Sequence, residues 1–134
     1  MLILYEWLRD YQKLVEDIAY LEFSLEKTEI ELKRWVEGDL QGIKLQHDSL
    51  GAKVEENIEE IKRELKFKRE QMFKLVQLIE TFKGLDHKVL KMKYIDGMTL
   101  ENIAHDLGYS AGYIYKKHAE IIRIIKYAGK LSIN

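Results

Sequence analysis

The sequence predicts an all-α protein: a long antiparallel helical hairpin, coiled-coil-like, followed by a C-terminal helix-turn-helix. Three observations carry that expectation. The 134 residues include no proline, while Glu, Lys, Leu and Ile are frequent, a composition suited to uninterrupted helix. Apolar residues step by four and three along two long stretches, the alternation of a heptad seam. The stretch Leu85 to Lys126 then reads as a helix, a tight break at Asp96-Gly97, a short helix opening at Thr99, a turn at Gly108-Tyr109-Ser110, and a longer basic helix.

Composition sets the outer bounds. With 46% hydrophobic and 34% charged residues, the chain is neither a disordered tail nor a membrane protein. No apolar run approaches the roughly 18 residues a membrane span needs. The opening MLILYEWLRD lacks a basic leader and soon turns acidic, so no signal peptide is expected. The absence of cysteine removes disulfides and thiolate chemistry. A cytoplasmic location is the expectation. The net charge of −1 conceals an asymmetry: residues 1–84 carry 14 basic and 18 acidic side chains, or −4, and residues 85–134 carry 8 and 5, or +3. The positive end coincides with the helix-turn-helix, as capture of phosphate requires.

The arm is assigned to residues 1–84. Its first helix, from about residue 3 to 36, has a seam of Leu4, Leu8, Tyr11, Val15, Ile18, Leu25, Leu32 and Val36. A second row, Leu14, Leu21 and Trp35, widens it. A loop is expected at about 37–51, rich in Gly, Asp and Ser, with Asp48 or Ser49 capping the next helix. That helix carries Val54, Ile58, Ile61, Leu65, Met72, Leu75, Ile79 and Phe82. Folded back as a hairpin, the two helices set Leu32 against Ile58, Leu25 against Leu65, and the seam charges Glu22 and Lys68 against each other, as a half-buried charge demands. The same heptads would equally serve a coiled coil between two chains.

Residues 85–134 form the second assigned domain. Thr99 is an N-cap, Gly108 supplies positive φ at the turn, and Ser110 caps the following helix. Ala104 is small where two helices approach closely, and Ile114 points back to the core. Val89, Leu90, Met92 and Tyr94 pack behind the pair, while Ile121, Ile122, Ile124 and Ile125 supply more core than a minimal recognition helix needs and carry the last helix on to Tyr127. A helix-turn-helix places its second helix in the DNA major groove. Its outward first turns are Ala111, Gly112, Tyr115 and Lys116, with Tyr113 and Lys117 nearby. Small residues admit the backbone to the bases; Lys donates to guanine, and Tyr can hydrogen-bond or touch a thymine methyl. Lys117, His118 and Arg123 suit phosphates, which set register without reading sequence. Tyr113 is equally a packing residue; Tyr115 is assigned to DNA.

The stretch TLENIAHDLGYSAGYIYKKHAEIIRIIK resembles the promoter-reading C-terminal domain of bacterial sigma factors and aligns with it without gaps. The preceding LDHKVLKMKYIDGM resembles that domain's usual helix and break. Together with its helical first half, the chain resembles small phage-encoded transcriptional regulators of the ArpU/RinA kind. The motif resemblance covers roughly the last fifty residues; for the arm it rests on size and helicity. It implies a DNA-binding activator, of phage or prophage late genes, with Ala111, Gly112, Tyr115 and Lys116 at the base-contacting positions. Two departures stand out. Ala111 and Gly112 replace the usual charged residues, which points away from a sigma-type promoter element, and Lys117 occupies a usually apolar site. Counterparts of a sigma factor's polymerase-binding and strand-melting regions are missing, so the resemblance is not to a complete sigma factor.

The expected function is therefore sequence-specific binding of double-stranded DNA in transcription regulation, by a homodimer on paired half-sites. The expected DNA-binding residues are Thr99, Ser110, Ala111, Gly112, Tyr113, Tyr115, Lys116, Lys117, His118 and Arg123. RNA polymerase is a further candidate partner; a membrane and a small-molecule substrate are not expected. The alternative is a non-catalytic interaction protein whose arm binds RNA polymerase or another regulator. His47, His87, His105 and His118 lack metal-ligand spacing, and no phosphate loop or Ser-His-Asp set is present, so no enzyme activity, cofactor or metal is expected.

Overall fold

The structure is a computed structural model; it describes the backbone of residues 3–37 and 44–131 and the side chains of residues 4–37 and 51–129. Every regular element among the described residues is helical: α1 (Ile3–Arg9), α2 (Tyr11–Glu37), α3 (Lys44–Thr81), α4 (Gly84–Leu90), a π-helical stretch (Lys91–Ile95), α5 (Leu100–Leu107) and α6 (Ala111–Leu131). The chain forms two compact units. One comprises residues 15–70; the other joins the residues up to Leu14 to those from Gln71 onward. The division cuts across α2 and α3.

The first expected helix is interrupted at Asp10, between α1 and α2. The interruption is slight, because Asp10 N–H still donates to Glu6 (3.1 Å) and Leu14 N–H to Asp10 (3.0 Å), the i to i−4 spacing of a helix. The expected loop at 37–51 is shorter: residues 38–43 lie outside the described residues, and α3 begins at Lys44. Asp48 and Ser49 consequently fall inside α3 and do not cap its start. Once the strongly periodic part of α3 is helical, adding a residue at its N-terminal end costs little, so helix spreads into a stretch with no apolar stripe.

In the 15–70 unit, the end of α2 meets the first part of α3: Trp35, Val54 and Ile58 are buried together, with Leu25 and Leu32 packed against them. Toward the other end, Lys68 Nζ lies 3.5 Å from Asp17 and 3.5 Å from Glu64, and Arg69 lies 3.7 Å from Glu22. The expected Glu22–Lys68 pair is therefore replaced by two others. The reason is rotation of α2. Leu14 and Trp35, in the row read as secondary, are buried, while Val15 and Val36 of the primary seam are exposed. Trp35 offers far more apolar area than Val36, so turning it inward is the more favourable packing. The same turn brings Asp17 rather than Glu22 beside Lys68.

The other unit is built around α6, against which α1, α4 and α5 all pack. Its core includes Leu8, Leu75, Ile79, Val89, Leu90, Ile103, Ala104, Ile114, Ile121 and Ile125. Lys126 Nζ sits 4.8 Å from the centre of the Tyr5 ring, a cation–π contact between α6 and α1. After Leu90 the helix widens to π geometry, with Asp96 N–H donating to Lys91 at 3.0 Å, five residues back. The side-chain amide of Gln12 donates to the carbonyls of Tyr94 and Ile95, two groups the widened end would otherwise leave without a helical partner. Gly97 then turns the chain at φ 73°.

One expectation for α6 needs correction. Ile124 is 53% exposed and contributes no core, whereas Ile125 is 1% exposed; at 100° per residue the two cannot share one face. Ile114→Ala is expected to lower unfolding stability by about 2–5 kcal/mol, the cost of a large-to-small change in a closed core. Ile124→Ala should stay within about 0.5 kcal/mol. Urea titration of the two variants decides, and equal costs would contradict this packing.

Candidate nucleic-acid interface

Local chemistry fixes the α5–turn–α6 unit. Thr99 has extended backbone and its side chain accepts from Asn102 N–H at 3.2 Å, the geometry of an N-cap. At the other end of α5, Gly108 has φ 78°, and Tyr109 N–H reaches back to the Ala104 carbonyl at 2.9 Å. A left-handed residue with that six-to-one bond is a Schellman ending, and a Cβ at Gly108 would be strained at this φ whatever the space around it. Ser110 then caps α6, accepting from Tyr113 N–H at 3.2 Å. Ala104 and Ile114 are both buried.

Burial of Ile114, Ile121 and Ile125 sends the opposite side of α6 outward. That side presents Gly112, Tyr115, Lys116, Ala119 and Arg123, all exposed, with Ser110 and Ala111 at its N-terminal edge. Two contacts prepare it. The Tyr115 hydroxyl donates to the Glu101 carboxylate on α5, which holds the ring against the surface. Tyr113 stacks on Tyr109, centroids 5.0 Å apart, so Tyr113 is half-exposed and packed at once. Glu101, Tyr109 and Ala119 were not singled out from sequence. Ala119 could have been, since it follows Gly112, Tyr115 and Lys116 at helical spacing.

Two of the expected site residues are engaged within the unit. Lys117 Nζ is 3.1 Å from Asp86 of α4, and the hydrogen bond and charge of that carboxylate raise its pKa. Lys117 is thus held by an ion pair on the inner side of the unit. Half-buried His118 lies 2.7 Å from the Tyr94 hydroxyl, its ring stacked on that tyrosine at 5.8 Å. Burial, and then the charge of Lys93, lower its pKa; burial is also the main reason that the Tyr94 phenol is held well above its ordinary value. His118 is accordingly neutral at neutral pH and brings no charge to a phosphate.

Among the described residues, no group of three His, Cys, Asp or Glu side chains could hold a metal ion, and no helix is long and apolar enough to cross a membrane. What the fold presents is an all-helical chain ending in two capped helices around a glycine turn, with a tyrosine- and lysine-bearing face. The chain belongs to the family described as protein of unknown function (DUF1492), whose model matches residues 33–126. No curated protein and no solved structure gives a match.

The His118 environment has a measurable consequence. The folded chain favours neutral imidazole, so below the ordinary value of 6.5 the unfolded chain binds more protons. The stabilisation is full above that pH and is lost as pH falls through the lowered folded-state value. The urea midpoint should therefore drop between roughly pH 7 and 5, and drop less in His118→Gln. Parallel pH profiles for the two proteins would rule the linkage out.

Proposed function

We propose that this chain is a sequence-specific double-stranded DNA-binding regulator of transcription, built as an antiparallel helical hairpin followed by a sigma-like helix-turn-helix. The observation that carries the reading is the outward face of α6. Small residues, Ala111 and Gly112, open the helix, so its backbone can come close to base edges. Behind them, exposed Tyr115, Lys116 and Arg123 follow at helical spacing. A lysine donates to guanine O6 and N7 in the major groove. With its O–H given to Glu101, Tyr115 offers its ring to a thymine methyl and an oxygen lone pair to an amino group. Arg123 is two turns further along and suits a phosphate, while Thr99 and Ser110 mark the capped N-termini of α5 and α6, whose N–H groups suit phosphates. Lys117 and His118, committed to Asp86 and Tyr94, drop out of the direct contacts in this reading.

The residues from 85 onward carry a net +3, a modest charge for holding DNA with one copy, and a single helix reads only a few base pairs. Both facts favour a homodimer on paired half-sites. The resemblance to ArpU/RinA-type regulators extends the proposal to late-gene activation in a phage or prophage, in the cytoplasm of the bacterial host, with RNA polymerase as a further candidate contact. A second reading has one observation in its favour: Tyr20, Phe23 and Ile30 form an exposed apolar row on α2, which would suit an arm that binds RNA polymerase or another regulator and no DNA.

Lys116→Ala and Tyr115→Ala are expected to fold normally and each to weaken binding to selected sites by about 1–3 kcal/mol. A gel-shift titration against sites selected from a random duplex pool measures it; wild-type affinity and sequence preference in both variants would refute the recognition-helix assignment. Binding of random duplex by the wild type should fall steeply with salt, because each neutralised phosphate releases counterions. Absence of binding even at low salt would favour the second reading.

A further inference from the structure

The outer side of α2 carries an exposed stripe at perfect heptad spacing: Glu16, Tyr20, Phe23, Lys27, Ile30 and Arg34. Its three apolar members are 70, 65 and 56% exposed, while the opposite side of the helix buries Leu14 and packs Leu25 and Leu32 against the cluster of Trp35, Val54 and Ile58. A solvated helix face ordinarily carries single scattered apolar residues; three in one a/d row form the seam of a helix–helix contact.

The order of charges along the stripe names the occupant. Set against a second copy in parallel and in register, every residue meets its own image, so Glu16 faces Glu16, Lys27 faces Lys27 and Arg34 faces Arg34. Set antiparallel and crossing at the level of Leu25, Glu16 faces Arg34, Tyr20 faces Ile30, and Phe23 faces Lys27 as a cation–π pair, each twice by symmetry. One step further out, Lys13 faces Glu37. Moved one heptad toward the N-terminus, the register pairs Glu16 with Lys27 but sets Lys13 against Ile30; moved the other way, it sets Lys27 against Ile30 and Tyr20 against Glu37, so only the Leu25-centred register keeps both Glu16–Arg34 and Lys13–Glu37. A surface recognising itself across a two-fold axis must obey this reversal rule, and a surface for an unrelated partner has no reason to. Beside Ile30 lies a shallow groove of about 290 Å³, lined by Ile30, Lys33, Arg34 and Glu37; in this register the Tyr20 ring of the second copy lies over it.

We propose that the outer face of α2 is the self-association surface of this chain, joining two copies by antiparallel α2–α2 packing over about 27 Å. The proposal deepens the homodimer part of the functional reading and is independent of its DNA part. Three apolar side chains per copy are few beside an obligate dimer interface, so the association is reversible, with a micromolar Kd.

Sedimentation equilibrium of the full chain up to about 100 μM, where such a contact is saturated, provides the test, with circular dichroism to verify that each variant keeps its helix. The wild type should be a dimer. Phe23→Lys, which sets like charges together at the centre, should be monomeric. Glu16→Arg and Arg34→Glu should each weaken the dimer roughly tenfold, and the double variant should recover wild-type association. A monomeric wild type, a dimer unaffected by Phe23→Lys, or a double variant no better than the singles would each overturn the proposal. None of these outcomes bears on DNA binding, which the gel-shift titration reads separately.

Discussion

Three helices, α1, α4 and α5, depend on one apolar stripe of α6, the row Ile114, Ile121 and Ile125. Because the stripe is fixed by a 3.6-residue period, burying it also fixes what α6 presents to solvent. Gly112, Tyr115, Lys116, Ala119 and Arg123 face outward for the same reason that the isoleucines face inward. The capped ends add direction: Thr99 and Ser110 define where α5 and α6 begin, and the left-handed Gly108 defines the angle at which the chain passes between them. The candidate interface is thus a by-product of core packing.

The parts of this arrangement that follow from local chemistry were legible in the sequence. A threonine followed by a helical pattern, a glycine at the end of it and a serine after the glycine specify caps within a few residues of chain. The alternation of apolar residues likewise announced helices in the first half. What could not be read was the choice among partners. Leu4, Leu8 and Tyr11 continue the heptads of α2, so they look like arm, yet α1 packs on α6 and Tyr5 receives Lys126. A periodic pattern states that a face is buried without stating against what. Gln12 is a sharper case: its amide completes the carbonyls of a π-widened turn 82 residues away, a match between one polar side chain and one backbone irregularity that leaves no pattern. Lys117 looked misplaced at an apolar site and is resolved by Asp86, a carboxylate whose relevance depends on how α4 lies against α6.

The rotation of α2 shows the same rule at finer scale. Two apolar rows run along this helix, and the one counted as primary had more members. Packing kept Leu25 and Leu32 of the primary row but brought in Trp35 in place of Val36, because one indole buries more apolar surface than one valine. That single preference exchanged the partners of Lys68 and Glu22. It also leaves Tyr20, Phe23 and Ile30 on the far side of the helix, where the proposed self-association surface lies. Inward rotation and outward stripe are two consequences of one packing choice.

The central claim is that the outward face of α6 meets duplex DNA, and backbone amide NMR of the isotope-labelled full chain, titrated with a random duplex pool at low salt, tests it most directly. Shifts should concentrate at Thr99, at Ser110 to Lys116 and near Arg123, with the residues of the 15–70 unit little changed. Shifts confined to α2 and α3, or none at saturating duplex, would contradict it.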